Sequence, residues 1–195
     1  MTFLPRKQIL SLEEIYQIAL AFTELGVKKI RLTGGEPMVR SDVMSLIGKL
    51  GSLPGLEELL LTTNGAQLDK YALPLKEAGL SRINISIDSL DAERFRRISR
   101  VGKLEKVLAG IDAAREAGFD RIQLNSVIRR GYNEDEVIPL TDYALSRDVD
   151  IAFIEEMPLG EDTDHSREET TCSNEWVRGQ IEQKYRLINS TAKTA

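Results

Sequence analysis

The residues best placed to do chemistry lie together in Arg31-Leu32-Thr33-Gly34-Gly35-Glu36-Pro37. Arg31 offers a cationic fork suited to a phosphate. The two glycines leave the backbone bare, so its N–H and C=O groups can approach a small polar ligand. Glu36 can accept a hydrogen bond from an ammonium group. A Gly-Gly pair alone reads as a turn. The carboxylate and proline after it, the charged strand residue before it, and polar strand ends further along the chain favour a binding loop.

Those later strand ends are Leu61-Thr62-Thr63-Asn64-Gly65, Ile83-Asn84-Ile85-Ser86-Ile87-Asp88 and Phe153-Ile154-Glu155-Glu156-Met157. The isoleucines of the second alternate with Asn84, Ser86 and Asp88, which puts the polar residues on one face of a strand. Thr62 and Ser86 can equally satisfy buried backbone groups. The single thiol, Cys172, sits in a polar stretch and reads as incidental. It excludes an internal disulfide, and with the one histidine, His165, it makes no metal site.

Five strands position these residues. Ser11 and Glu14 form a capping box for a helix carrying Ile15, Ile18, Ala19, Phe22 and Leu25, which ends at Gly26. A strand runs through Thr33, and Ser41 can cap the next helix, which buries Leu46, Ile47 and Leu50. Leu59 to Thr63 is the second strand, followed by a helix from Asp69 to Ala78 with Pro74 in its early turns. Ile83 to Asp88 is the third. Leu104, Val107, Leu108, Ile111 and Ala114 mark a helix closed at Gly118. Ile122-Gln123-Leu124-Asn125 is the fourth strand, and Asn133 with Glu136 starts a helix through Leu145. Ile151 to Ile154 is the fifth. Connections this long and helical join parallel strands. Fully covered parallel strands are apolar on both faces, whereas here Arg31, Thr62, Ser86, Asp88, Asn125 and Glu155 make one face polar toward the C-terminal ends. A barrel lumen that gathers binding residues at that end explains both facts.

The 195 residues suffice for one domain core, with 42% hydrophobic and 29% charged residues and a net charge of −5. That charge argues against a nucleic-acid binder. No apolar run is long enough to span a membrane and no signal peptide is visible, so a cytoplasmic home is expected. Residues 1–160 read as the barrel. Residues 161–195 read as an acidic loop and a last helix capped by Ser173 or Asn174, with Trp176 packing and a frayed end.

Taken in order, the Thr33-Gly34-Gly35-Glu36-Pro37, Thr62-Thr63-Asn64-Gly65, Asn84-Ile85-Ser86-Ile87-Asp88-Ser89 and Phe153-Ile154-Glu155-Glu156-Met157-Pro158-Leu159-Gly160 blocks resemble the GTP 3′,8-cyclase family of radical S-adenosylmethionine (SAM) enzymes. The resemblance runs from about Phe3 to Tyr185. It implies an α/β fold, an incomplete six-stranded TIM-like (β/α) barrel. It also implies the conversion of GTP to (8S)-3′,8-cyclo-7,8-dihydroguanosine 5′-triphosphate in molybdenum cofactor biosynthesis. Residue by residue, it implies SAM contacts at Gly35, Ser86 and Met157 and GTP contacts at Arg31 and Thr62. Gln123 stands where family members commonly carry a GTP-contacting lysine, and Ala152 where some carry arginine.

The family holds two [4Fe–4S] clusters on clustered cysteines, the first on Cys-x3-Cys-x2-Cys after the first barrel strand. This sequence has neither set. The resemblance therefore implies an internal piece of a longer protein, without the first strand and the C-terminal region, inactive by itself. An electron donor and a downstream pterin-forming enzyme are the implied partners, and a homodimer stays open. The competing readings are a cluster-free SAM or nucleotide-binding barrel and a phosphate-binding barrel aldolase or isomerase. The last would need a late Gly-rich phosphate loop, and none is visible.

Overall fold

The structure, a computed structural model, describes residues 9–100, 102–157 and 167–190, the last stretch without the side chains of Arg167 and Glu168. The Phe3-Leu4-Pro5-Arg6 lead-in, Pro158-Leu159-Gly160, His165, most of the acidic loop, the boundary at residue 160 and the final residues lie outside the described residues.

In chain order the elements are α1 (Leu12–Glu24), β1 (Lys29–Leu32), α2 (Val43–Gly51), β2 (Glu58–Thr63), α3 (Leu68–Glu77), β3 (Arg82–Ser86), α4 (Ala92–Ser99), α5 (Leu104–Glu116), β4 (Arg121–Val127), α6 (Val137–Arg147), β5 (Asp150–Ile154), α7 (Arg167–Thr170) and α8 (Asn174–Glu182). The five strands form one sheet in the order β1-β2-β3-β4-β5. The expected α/β fold with five parallel strands is what the chain adopts. It divides into two compact units, Met1–Ser86 with Glu105–Gln123 and Ile87–Leu104 with Leu124–Ala195.

In the first unit β1 pairs in parallel with β2, Arg31 opposite Leu60 and Leu32 opposite Leu61, and β2 pairs with β3, Leu60 opposite Arg82 and Thr62 opposite Asn84. Paired residues share a face of the sheet. One face therefore carries Leu59, Leu61, Ile83 and Ile85, all buried. Each such side chain contributes about 1.5–3 kcal/mol by leaving water. The other face carries the buried Leu60 among Glu58, Thr62, Arg82 and Asn84, which are only partly covered. The alternation visible in the sequence is thus the division between an apolar and a polar face.

The capping box of α1 forms as expected: Ser11 Oγ accepts from Glu14 N–H at 3.1 Å, and Glu14 accepts from Ser11 N–H at 2.7 Å. Of the apolar stripe expected on α1, Ala19 is buried but Ile18, Phe22 and Leu25 are exposed. Ser41 does not cap α2. Asp42 takes that place in the left-handed region, with no side-chain cap. Pro74 falls inside α3, its seventh residue. Close packing sets α5 against the turn after β2, where a Cβ on Gly110 would lie 2.4 Å from the Gly65 carbonyl oxygen.

In the second unit the capped start expected at Asn133 and Glu136 is replaced by a 3-10 turn, Glu134–Glu136, with no side-chain cap. Both side chains are engaged elsewhere. Asn133 donates to the Asp88 and Val127 carbonyls at 2.8 and 3.0 Å and accepts from Arg129 N–H at 2.8 Å. Glu136 is buried and accepts from the Ser89 hydroxyl, from Leu90 N–H at 3.2 Å and from Arg94 at 3.2 Å. Ser173 caps α8, accepting from Trp176 N–H.

Candidate functional site

The site builds on the polar face of the first unit. Arg31, third residue of β1, projects beside Thr62 of β2, and its Nη1 donates to Thr62 Oγ1 at 3.4 Å. Burial, and then the positive charge of Arg82, lower the Arg31 pKa from its usual value. The group stays protonated at any physiological pH. Beyond Thr62 in the same face lies Asn84, and Ser86 is exposed at the end of β3. At the lower end of that face, Glu58 takes Lys29 Nζ at 2.7 Å and Arg82 Nε at 3.3 Å.

The Gly-Gly turn leaves β1 at the opposite, C-terminal end of the strand. Gly34 has φ 145°, a backbone region that side chains rarely adopt. Gly35 is exposed, and a Cβ built on it would meet nothing within 4 Å. The backbone there is open to a ligand. Glu36 is committed differently from the sequence expectation. Its carboxylate accepts from Met38 N–H at 3.0 Å, from the Thr63 hydroxyl at 2.8 Å and from Asn64 N–H at 2.6 Å. A carboxylate has about four acceptor positions, so Glu36 acts mainly to tie the glycine turn to the end of β2.

Of the residues expected to contact ligands, the structure joins Arg31 to Thr62 and places Gly35 one residue from Glu36, whose carboxylate is bound to Thr63. Ser86 shares its face with Asn84. Gln123 lies in β4, half-buried, between the buried Ile122 and Leu124. Met157 belongs to the second unit and is exposed three residues past β5. Two residues expected in the lumen serve backbone groups instead. Asp88 accepts from Val127 N–H at 2.8 Å, and Glu155 accepts from Asn174 N–H at the start of α8 at 3.0 Å. Arg82 and Glu58 escaped the sequence analysis because they sit at strand starts, away from the glycine motif. Only the register puts Arg82 in the row of Arg31 and Glu58 opposite Lys29.

A profile of the Radical SAM superfamily matches residues 2–144, well over half of the chain. This chain belongs to the radical SAM superfamily. Among curated proteins it is 56% identical over 191 residues to the GTP 3′,8-cyclase of Pseudomonas putida strain W619, covering 98% of this chain and 57% of that protein. It is 56% identical over 194 residues to the GTP 3′,8-cyclase of Ectopseudomonas mendocina strain ymp, covering all of this chain and 59% of the relative. The chain thus spans less than two thirds of the length of these relatives. Solved structures share the fold. Streptococcus suis SuiB bound to S-adenosylmethionine superposes with a TM-score of 0.67 at 20% identity, over 94% of this chain and 41% of that one. Coproporphyrinogen III oxidase (HemN) from Escherichia coli, described as a radical SAM enzyme, gives 0.59 at 17% identity, over 87% and 44%.

Radical SAM proteins use SAM and a [4Fe–4S] cluster, and the two fit these residues differently. The open glycine backbone and the exposed Ser86 suit the zwitterionic amino-acid end of SAM. The cluster does not fit. It needs several cysteine thiolates, and these 195 residues supply one cysteine. Cys172 is buried, and burial raises its pKa, which keeps it a thiol. Among the described residues no group of three or more His, Cys, Asp or Glu could hold a metal ion. No helix among them is long and apolar enough to cross a membrane.

Proposed function

We propose that this chain carries SAM- and GTP-contacting residues of a GTP 3′,8-cyclase, the activity that cyclises GTP toward molybdenum cofactor. The observation behind this reading is the Arg31–Thr62 pair on the polar face beside an open Gly34-Gly35 backbone, in a chain 56% identical to proteins of that name. Arg31 and Thr62 would take GTP, the first through its charge and the second through its hydroxyl. Gly35, Ser86 and Met157 would take SAM. The radical would come from SAM at a cluster whose thiolates are not among these residues, so this stretch binds and orients. A cytoplasmic location, a separate electron donor and a pterin-forming enzyme acting on the product accompany the reading.

The single buried thiol favours one other reading, a cluster-free barrel that binds SAM or a nucleotide without radical chemistry. Both readings require the pocket. Calorimetric titration of the chain with GTP, ATP and SAM tests it. GTP and SAM are expected to bind one to one. Arg31→Met is expected to weaken GTP about tenfold, the scale of one charged hydrogen bond, and to leave SAM unchanged. Absence of binding by both ligands contradicts the proposal.

A further inference from the structure

We infer that Arg31 and Arg82 form a paired-guanidinium subsite for the phosphates of an anionic nucleotide, with Glu58 as its resident counter-charge. The inference rests on the reading of this face as GTP-binding and adds Arg82, which neither the motif nor the strand ends mark.

The register supplies the geometry. Arg31 is opposite Leu60 and Leu60 is opposite Arg82, so the two arginines flank one buried leucine in a single row. Neighbouring strands lie about 4.8 Å apart, which puts the two Cα atoms roughly 10 Å apart. Two arginine side chains can converge on one anion across that gap. They already feel each other, since the Arg82 charge depresses the Arg31 pKa.

The charges on this face do not balance. Lys29 and Arg82 share one carboxylate, Glu58, at 2.7 and 3.3 Å, and among the described residues Arg31 has the Thr62 hydroxyl as its hydrogen-bond partner. Among the described residues Arg82 Nη1 is buried without a hydrogen-bond partner, as is Glu58 Oε2 beside it. A buried donor left unmade is costly. A phosphate between the guanidinia would engage that donor, remove the Arg–Arg repulsion and accept bidentate bonds from a fork matched to its geometry. An ion pair serving stability alone explains the Arg82–Glu58 contact but not the second arginine facing it.

The test uses the full 195-residue chain and inorganic tripolyphosphate, a probe without a base or sugar, followed by calorimetry and by competition with GTP. Tripolyphosphate is expected to displace GTP. Arg82→Gln is expected to weaken tripolyphosphate by about tenfold or more. Glu58→Gln frees both Lys29 and Arg82 and is expected to tighten it several-fold. If Arg82→Gln does not fold, Arg82→Lys decides. It keeps a charge for Glu58 but loses the fork, and several-fold weaker binding is expected. Unchanged tripolyphosphate affinity in the folded Arg82 variant, or weaker binding in Glu58→Gln, overturns the subsite. GTP binding that ignores Arg82 also overturns it, while leaving the cyclase reading in place. Arg82-dependent tripolyphosphate binding without preference for GTP supports the subsite and counts against the cyclase reading.

Discussion

The Thr63 hydroxyl donates to Glu36 Oε1 at 2.8 Å, joining the glycine turn after β1 to the last residue of β2. Asn64 N–H reaches the other oxygen of the same carboxylate. The turn that would meet a ligand is therefore held from the neighbouring strand. Glu36→Gln replaces an acceptor with an amide that faces donors. It is expected to cost about 1–3 kcal/mol in urea unfolding. Thr63→Val combined with it should show a coupling of about 1 kcal/mol. Additive single losses contradict the contact.

Asp88 is a buried group whose titration has a readable sign. Burial raises its pKa, against the lowering effects of Val127 N–H, the Arg129 charge and the Ser126 hydroxyl. A carboxyl whose folded pKa exceeds its unfolded value favours folding fully at pH below the unfolded value. That contribution is lost as pH rises through the folded value. Asp88→Asn keeps an acceptor for Val127 N–H and removes the buried charge. Its melting temperature is expected above wild type at pH 7, with the gap closing below about pH 4. A gap that persists in acid contradicts this.

Cys172 is buried and its pKa is raised by burial. Iodoacetamide is expected to modify it slowly in the native chain at pH 7 and rapidly in urea. Anaerobic reconstitution of the same chain is expected to leave no stoichiometric iron. Iron and sulfide near about four atoms per chain, the stoichiometry of one cluster, contradict the fit argued from the single thiol.

Gln123 occupies a half-covered position in β4. Gln123→Lys adds a cation on the side of the strand away from the buried Ile122 and Leu124. GTP affinity is expected to rise several-fold, with a steeper salt dependence, and guanosine affinity to stay the same. Equal gains for both ligands contradict a phosphate contact.

Much of the fold was legible because periodicity reports burial directly. Ile83 and Ile85 alternate with Asn84 and Ser86, and the sheet divides along that alternation. Where the sequence misled, a side chain had a distant partner. Asn133 and Glu136 have the spacing of a helix cap, yet they bind Asp88, Ser89 and Arg94, all more than thirty residues away. Helix α4 gave no apolar stripe, since half of Ala92–Ser99 is charged and it buries Phe95 alone. Its Asp91 cap, which accepts from Arg94 N–H at 2.7 Å, was the available signal. Arg31, Thr62 and Gly35 were found from the motif. Arg82 needed the strand register, which no single-strand pattern contains.

The most direct measurement exchanges the matched stretch of the Pseudomonas putida W619 GTP 3′,8-cyclase for this chain and assays the purified, reconstituted chimaera for cyclised GTP. Product formation that fails when Arg31→Met is introduced is the expected result. A chimaera that folds, holds its clusters and cleaves SAM, yet leaves GTP unchanged, would show that this polar face does not serve the cyclisation.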